Sequence, residues 1–458
     1  MYRIYFNRVK QVYGLAEMVR MFLPTSSFTI LDDDPWDDTS LTAGDILIRI
    51  PDAITMNDDG KRYLYDCLQE YTGRSLEWGI HTGVRPVKLA GELLAAGNTP
   101  AEVIDILTGQ YYLSREKAEL LLSIRNTQLQ YLTRKEGAIG VYIGIPFCPT
   151  RCVYCSFPSN QVSYDKIPPY LDALKREIRF AGDAAAKHGL YAESVYIGGG
   201  TPTTLTDEDL NQLLEVVRKH FDFSRIREFT VEAGRPDTIT VPKLIVLREN
   251  GVDRISINPQ SMKQETLEAI GRCHRPEDVI SAFKAAQDIG FKVINADLIA
   301  GLPGEEPGDF LDSLNRIIAL SPENITVHTL AVKRASRLKE MDEDYNYHHG
   351  GKVRDMLDLG REALYEHGFI PYYLYRQKQM AGNLENVGYS LPGKEGIYNI
   401  RIMEENQTIL ALGAGGISKV WYPDKNRLER VPNVSNYEIN IERIEEMIQR
   451  KKEGIFID

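Results

Sequence analysis

The stretch Gly144-Ile-Pro-Phe-Cys148-Pro-Thr-Arg-Cys152-Val-Tyr-Cys155-Ser-Phe-Pro-Ser159 decides how this chain is organised. It follows an apolar run, Val141-Tyr-Ile-Gly-Ile145, that is typical of a buried β-strand. Three cysteines at C-x₃-C-x₂-C spacing can converge on one centre, and soft sulfur ligands suit zinc, copper(I) or an iron–sulfur cluster. A structural zinc site needs four protein ligands, and no fourth Cys or His lies nearby. The alternatives are three unrelated thiols or a zinc loop completed by a distant ligand.

The bulk composition describes an ordinary globular protein and argues against some classes of function. Of the 458 residues, 43% are hydrophobic and 26% are charged, and the length suits two or three domains. A formal net charge of −11 argues against a nucleic-acid binder, which needs a basic surface. Two of the five cysteines, Cys67 and Cys273, stand alone, so a disulfide framework is not expected. We see no signal-peptide pattern and no apolar run of the roughly 20 residues that span a bilayer, which together predict a cytoplasmic protein.

Three regions are predicted along the chain. Residues 1–135 form an N-terminal α+β accessory domain, in which Ile46–Ile50 alternates like a strand and Thr99-Pro-Ala-Glu102 begins a helix. Residues 136–335 form a barrel, and residues 336–458 form a C-terminal domain that covers its mouth. The segment Trp78–Pro86 is richer in Gly, Arg and His than a linker, but no chemistry can be assigned to it from first principles.

The middle region predicts an α/β fold. Short β-branched runs alternate with helical segments, so the strands are expected to be parallel. Six βα units fall short of a closed eight-fold barrel and predict a partial, TIM-like (β/α)6 barrel. The candidate strands are 139–146, 194–198, 227–232, 253–258, 292–298 and 324–331.

Chemistry-bearing residues follow these strands, at the end where parallel sheets bind ligands. After the second strand comes Gly198-Gly-Gly-Thr-Pro-Thr203, whose glycines let the backbone approach a ligand closely. Glu232, Gln260 and Asp297 end the next three strands. Such residues are often solvated rim residues, but three in succession at one edge favour a ligand. Arg272 could pair with the carboxylate of a bound amino-acid group.

The cysteine motif resembles the signature of the radical S-adenosylmethionine (radical SAM) enzymes, in which three cysteines hold a [4Fe–4S] cluster and the open iron binds S-adenosylmethionine. Within them, the chain resembles the oxygen-independent coproporphyrinogen III oxidase (dehydrogenase) group, in the branch from Gram-positive anaerobes with an extra N-terminal region. The segments that carry this resemblance are Tyr142–Cys148, Gly198–Thr203, Ser256–Ser261, Gly271–His274, Asp297–Pro303 and Tyr372–Tyr389.

The resemblance implies a role for each matching residue. Cys148, Cys152 and Cys155 hold the cluster and count as catalytic together with Tyr142. Tyr142 and Tyr154 pack beside the cluster and the cofactor. In bound S-adenosylmethionine, the amino end of the methionine part is held by Gly199, Gly200, Thr201 and Glu232, and its carboxylate by Arg272. The ribose is held by Gln260 and Asp297, and Ala331 lies against the adenine.

The implied reaction belongs to haem biosynthesis. A 5′-deoxyadenosyl radical removes a hydrogen atom from each of two propionates of coproporphyrinogen III, and oxidative decarboxylation leaves the vinyl groups of protoporphyrinogen IX. The implied partners are this tetrapyrrole and a reduced flavodoxin or ferredoxin-type electron donor. The chain is expected to be a monomer, without nucleic acid.

Two departures keep other functions open. In the studied oxidases the motif ends in Cys-Gly-Cys. Here Ser156 and Phe157 take the last two of these positions, and in this respect the chain resembles the related haem chaperones. Conversely, Tyr398-Asn-Ile-Arg-Ile-Met403 lacks the His and Trp of the chaperones' haem-binding stretch. The alternatives are a haem chaperone and a radical SAM enzyme that opens or methylates haem.

A substrate with four carboxylates needs cations and flat surfaces. Tyr372, Tyr373 and Tyr375 either contact the tetrapyrrole or form an aromatic core strand. Cys273 is expected to be a buried, inert thiol. The candidate cations are Lys333, Arg334, Arg337, Arg376, Lys378 and Arg401.

Overall fold

A computed structural model describes residues 1–6, 12–31, 45–50, 58–133, 135–155, 159–332, 338, 344–425 and 427–457. Fourteen strands lie within these ranges. They are β1 Tyr2–Phe6, β2 Phe28–Leu31, β3 Ile46–Ile50, β4 Ala138–Ile145, β5 Tyr191–Gly199, β6 Glu228–Gly234, β7 Arg254–Gln260, β8 Val293–Ala300, β9 Asn324–Thr329, β10 Ile370–Tyr375, β11 Asn386–Ser390, β12 Ile409–Leu412, β13 Ile417–Tyr422 and β14 Arg427–Pro432.

The helices of the described residues alternate with strands through the middle of the chain. They are α1 Val12–Phe22, α2 Asp58–Thr72, α3 Pro86–Ala95, α4 Pro100–Gly109, α5 Arg115–Leu132, α6 Ile167–Lys187, α7 Asp207–His220, α8 Val241–Glu249, α9 Gln264–Ala269, α10 Pro276–Ile289, α11 Pro307–Ile318, α12 Tyr345–His348, α13 Gly350–Glu366, α14 Ile397–Glu404, α15 Tyr437–Glu442 and α16 Ile444–Gly454. Among these helices, none is long and apolar enough to cross a membrane.

An eleven-stranded sheet carries the predicted barrel strands. Its order is β10-β11-β9-β8-β7-β6-β5-β4-β12-β13-β14, so the six strands β4 to β9 are neighbours in sequence order. Each strand from β4 to β7 pairs in parallel with the next strand along the chain, as the alternation of strands with helices predicted. All six strands overlap the ranges expected from the sequence, which confirms the partial barrel.

The C-terminal region adds strands to both edges of this sheet. On one side, β12 pairs in parallel with β4, and β13 and β14 follow as antiparallel strands. On the other side, β11 pairs antiparallel with β9. The residues after 336 therefore extend the barrel sheet, which the sequence did not indicate. The predicted domain limits at 135 and 335 stay predictions.

The chain divides into two compact units, one of residues 1–126 with 329–355 and 374–386, the other of residues 127–328 with 356–373 and 387–458. In the first unit, β2, β1 and β3 form a small parallel sheet packed on α1 and α2. Thr99 caps α4 as predicted, in a capping box with Glu102. Cys67 lies on α2, half-buried against the core of this unit.

The Trp78–Pro86 segment has a structural role inside the first unit. The indole N–H of Trp78 donates to Glu385 at 2.7 Å, and the Arg376 guanidinium lies 4.9 Å from the centre of the Trp78 ring. Gly79 has φ +49°, and a Cβ there would stand 2.1 Å from the Tyr111 carbonyl oxygen. The unusual composition thus reflects close packing.

Candidate active site

The cysteine loop leaves β4 at Ile145 and is fixed by backbone hydrogen bonds. The Cys148 N–H donates to the Asn160 carbonyl at 3.0 Å, and the Cys155 N–H donates to the Cys152 carbonyl at 3.1 Å. The Val153 N–H reaches the Ile270 carbonyl at 3.2 Å, which ties the loop to the segment after β7. These hydrogen bonds fix the conformation of the loop through contacts within the protein itself.

None of the three cysteines of this loop forms a disulfide with another described residue, and the three differ in exposure. Cys152 is buried, whereas Cys148 and Cys155 are partly exposed. The Cys148 Sγ atom lies 3.4 Å from the Thr201 hydroxyl, and burial raises the pKa of the Cys148 thiol. In the part of the chain that the structure describes, no three His, Cys, Asp or Glu side chains are arranged to hold a metal ion. The thiols share one loop without being drawn around a common point.

The glycine motif at the end of β5 lies directly against this loop. The Gly200 N–H donates to the Ile145 carbonyl and the Thr201 N–H to the Phe147 carbonyl, each at 2.7 Å. A Cβ on Gly200 would stand 2.4 Å from the Phe147 oxygen. Since this is backbone, which cannot give way cheaply, only glycine permits the approach.

A carboxyl group and three stacked phenols lie beside the glycine motif. Tyr196 donates from its hydroxyl to Glu232 Oε1 at 2.5 Å. The Tyr196 ring stacks on Tyr398 with 4.6 Å between centroids and on Tyr142 with 6.3 Å. Burial raises the pKa of Glu232 to about 7, the hydrogen bond from Tyr196 opposes this rise, and the charge of Asp297 adds to it. Glu232 can therefore exchange a proton near neutral pH.

The end of β7 carries buried donors and acceptors that are only partly satisfied. Gln260 has φ +68°, is 7% exposed, and its Oε1 atom has no hydrogen-bond partner among the described residues. Arg272 donates to the Asn258 carbonyl at 2.6 Å and to the Tyr154 hydroxyl at 3.3 Å, and its Nε–H has no partner in the part of the chain that the structure describes. A strained, buried amide with an idle oxygen suggests a ligand-binding position.

Asp297 on β8 belongs to a separate hydrogen-bonded group. The Asn295 amide donates to Asp297 Oδ1 at 2.7 Å, and His328 Nε2 lies 3.6 Å from Asp297 Oδ2. Asn295 also donates to the Ser256 hydroxyl and accepts from Thr326. Side chains of β7, β8 and β9 thus fix the position of Asp297 on β8.

The remaining predicted residues either belong to the other compact unit or lie outside the described residues. Ala331 belongs to the other compact unit, where it forms an isolated bridge with Met380. Ser156, Phe157, Lys333, Arg334 and Arg337 lie outside the described residues.

Several candidate substrate contacts lie in the interior instead. Arg401 is 0% exposed and donates to Glu193 at 3.0 Å, so its charge is already compensated inside the fold. Arg376 is buried over Trp78, whereas Lys378 is exposed. Tyr372 and Tyr373 are buried, which confirms the core-strand interpretation for both. The expectation for Cys273 was wrong, because its side chain is exposed.

Sequence reasoning missed residues that only the fold brings to the site. Tyr196 was hidden inside an apolar strand, although its place two residues before the glycine motif puts it on the same face as Gly198. Arg235 is buried next to the cysteine loop and belonged to no predicted motif. His274 ended the Gly271–His274 segment without a predicted role, and it is buried as well.

The family model of the radical SAM superfamily matches residues 142–317. The chain is 43% identical over 396 residues to the oxygen-independent coproporphyrinogen-III oxidase-like protein HemZ of Bacillus subtilis, a match covering 85% of this chain and 79% of HemZ. It is 38% identical over 194 residues to the heme chaperone HemW of Bacillus subtilis, covering 42% of this chain and 50% of HemW.

Among solved structures, coproporphyrinogen III oxidase (HemN) from Escherichia coli, described as a radical SAM enzyme, aligns with a TM-score of 0.56 at 24% identity. The alignment covers 70% of this chain and 72% of HemN. At this identity the likeness concerns the fold.

Proposed function

Since the chain belongs to the radical SAM superfamily, among the oxygen-independent coproporphyrinogen-III oxidase-like proteins, we propose that it oxidatively decarboxylates two propionates of coproporphyrinogen III. Each propionate loses a hydrogen atom, one electron and carbon dioxide, and the product is protoporphyrinogen IX. The reaction needs an electron donor, for which a reduced flavodoxin or a ferredoxin-type protein is proposed.

The cofactors of the superfamily, and of this chain, are a [4Fe–4S] cluster and S-adenosylmethionine. The residues present fit both groups. Three soft thiol donors on one loop suit the cluster. Gly200 lets the glycine motif approach the cysteine loop so closely that a Cβ would stand 2.4 Å from the Phe147 carbonyl oxygen. Gln260 Oε1, which has no hydrogen-bond partner among the described residues, offers an acceptor to a polar ligand such as a ribose.

The proposed role of each residue is the one that the resemblance to the radical SAM enzymes implies. Cys148, Cys152 and Cys155 would hold the cluster, and the Gly199-Gly200-Thr201 backbone with Glu232 would bind the methionine amino end. Arg272 would bind its carboxylate, and Gln260 and Asp297 its ribose. Tyr142 and Tyr154 would pack beside them, and Ala331 would lie against the adenine.

When bound, the two cofactors supply the one-electron chemistry that removes a hydrogen atom from a C–H bond. The protein's contribution is placement and exclusion of water. Tyr142, Tyr196 and Tyr398 form a stacked aromatic wall beside Glu232, and this wall limits access of water to the carboxyl group.

The position of Tyr398 is the observation that favours an enzyme over a haem chaperone. Tyr398 begins the α14 segment that corresponds to the chaperones' haem-binding stretch, and it is buried against Tyr196. A phenol that is stacked in the barrel is not available as a haem ligand, and the segment Tyr398–Met403 contains no His. This supports decarboxylation.

A haem-binding chaperone remains the second candidate because of two observations. Ser156 and Phe157 replace the extra cysteine of studied oxidases, and HemW of Bacillus subtilis is 38% identical over half of its length. The barrel that HemW shares would serve either function.

An anaerobic turnover assay separates these candidates. The reconstituted protein is given reductant, S-adenosylmethionine and coproporphyrinogen III, and tetrapyrrole masses are followed over time. We expect stepwise loss of two carboxyl groups, abolished by Cys152→Ala and retained by the matched control Cys67→Ala. One-to-one haem binding without decarboxylation would favour the chaperone. A methylated or linear tetrapyrrole formed from haem would indicate a haem-modifying enzyme.

A further inference from the structure

A buried arginine outside every recognised motif holds the middle of the cysteine loop. Arg235 follows β6, is 3% exposed, and donates from Nη1 to the carbonyl oxygen of Thr150 at 3.4 Å and to the Thr150 hydroxyl. Thr150 stands midway between Cys148 and Cys152. The guanidinium is thus bonded to the part of the loop that sets the spacing of the first two thiols.

The other edge of Arg235 is fixed by a carboxylate. Its Nε–H donates to Asp237 Oδ1 at 2.9 Å, and its Nη2 donates to Asp237 Oδ2 at 2.8 Å. This paired geometry orients a planar guanidinium in a way that a lysine cannot reproduce. The short helical turn Pro236–Thr238 places Asp237 beside Arg235.

A second buried guanidinium contacts the other half of the loop. Arg272 donates to the hydroxyl of Tyr154, which stands between Cys152 and Cys155. Among the described residues, its hydrogen-bonded partners include no carboxylate. Arg235 and Arg272 together place two positive charges in the interior, and among the described residues the one carboxylate that forms an ion pair with either of them is Asp237.

Buried cations are costly unless negative charge lies near them. Three thiolates and a [4Fe–4S] cluster carry net negative charge, and reduction increases it. Charge and hydrogen bonding around the sulfurs are among the factors that set a cluster's potential. The excess positive charge at this loop is therefore complementary to a reduced cluster.

We propose that Arg235 is a positioning residue that fixes the part of the cysteine loop between Cys148 and Cys152 and stabilises the reduced cluster electrostatically. Asp237 holds it in place. This rests on the proposed assignment of Cys148, Cys152 and Cys155 to the cluster, but not on the identity of the tetrapyrrole substrate.

The first test measures the reconstituted cluster in Arg235→Gln, Arg235→Lys and the matched control Arg316→Gln. Arg316 is a partly buried arginine of the barrel. Like Arg235, it donates to a loop carbonyl, in this case that of Met262. In Arg235→Gln we expect reduction to become about tenfold less favourable, a shift of about 60 mV to lower potential for a one-electron couple. Arg235→Lys should restore most of the potential, because it keeps the charge.

The second test examines the loop in the chain without iron. Arg151 is exposed beside Thr150, so trypsin cleavage after it reports how firmly the loop is held. We expect at least threefold faster cleavage in Arg235→Gln, in Arg235→Lys and in Thr150→Ala, and no change in Arg316→Gln. Thr150→Ala leaves the buried charge intact, so this test also works if Arg235→Gln fails to fold.

An unchanged potential in Arg235→Gln, or cleavage as slow as in Arg316→Gln, would overturn the proposal. Neither readout involves the substrate. A protein with the expected shifts but no activity on coproporphyrinogen III would contradict only the proposed function.

Discussion

The Tyr196 hydroxyl donates to Glu232 Oε1 across 2.5 Å, joining two neighbouring strands at the candidate site. This bond opposes the effect of burial, which by itself would raise the pKa of Glu232 further. The carboxyl group therefore titrates near neutral pH, where a small change in its surroundings alters its charge.

Replacing Tyr196 by Phe should raise the pKa of Glu232 by roughly one unit, because the ionised carboxylate loses a donor. The phenyl ring keeps the stacking on Tyr398. The measurement is a pH titration of carboxyl ¹³C resonances, assigned with Glu232→Gln. In Tyr164→Phe, which removes an exposed bond to Asp209, the Glu232 resonance should be unchanged. An unaltered titration in Tyr196→Phe would contradict the assigned role of the bond.

Gly200→Ala should abolish S-adenosylmethionine binding. The new Cβ would stand 2.4 Å from the Phe147 carbonyl oxygen and would therefore displace either the glycine motif or the cysteine loop. The measurement is calorimetric titration of the reconstituted protein, with at least a tenfold loss of affinity expected. Gly308→Ala is the matched control, since a Cβ there has nothing within 4 Å. Equal affinity in both variants would exclude the close approach.

His274 should respond to acid, because burial, followed by the charge of Arg272, lowers its pKa to about 4. It is 1% exposed, and neither ring nitrogen has a hydrogen-bond partner within the described ranges. An unfolded histidine binds its proton near pH 6.5, so the neutral folded form is favoured above that pH. The stabilising contribution is lost as pH falls from about 6.5 to about 4, by roughly 3 kcal/mol in total.

Histidine proton resonances test this expectation. The signal missing from His274→Gln should titrate near pH 4 in the unmodified chain. The unfolding free energy of His274→Gln should also depend less on pH in this range, whereas His188→Gln at the exposed end of α6 should match the unmodified chain. A His274 signal that titrates near 6.5 would refute the prediction.

Arg401→Ala should destabilise the fold by about 3 kcal/mol, since it removes the buried partner of Glu193 and leaves that carboxylate only the partly exposed Arg227 as a paired cation among the described residues. Urea unfolding measures the change. Arg176→Ala, which breaks an exposed pair with Glu445, should cost less than about 1 kcal/mol. Similar losses in the two variants would mean that Arg401 does not stabilise the interior.

Short stretches of sequence predicted much of the fold of this protein. The cysteine spacing, the Gly198–Thr203 motif and six alternating strands predicted the partial barrel, and Glu232, Gln260 and Asp297 lie on its strands β6, β7 and β8. Local patterns suffice here because strand period, turn composition and motif spacing depend on neighbouring residues along the chain.

Only the tertiary structure decided which distant side chains meet. Tyr196 stacks on Tyr398, Arg235 holds Thr150, and β12 joins the sheet beside β4. Periodicity indicates that a residue faces inward but not which partner it meets there, since that depends on how elements far apart in sequence pack. The sequence by itself determined the barrel and its cysteine motif, whereas long-range packing determined the charge and shape of the site around them.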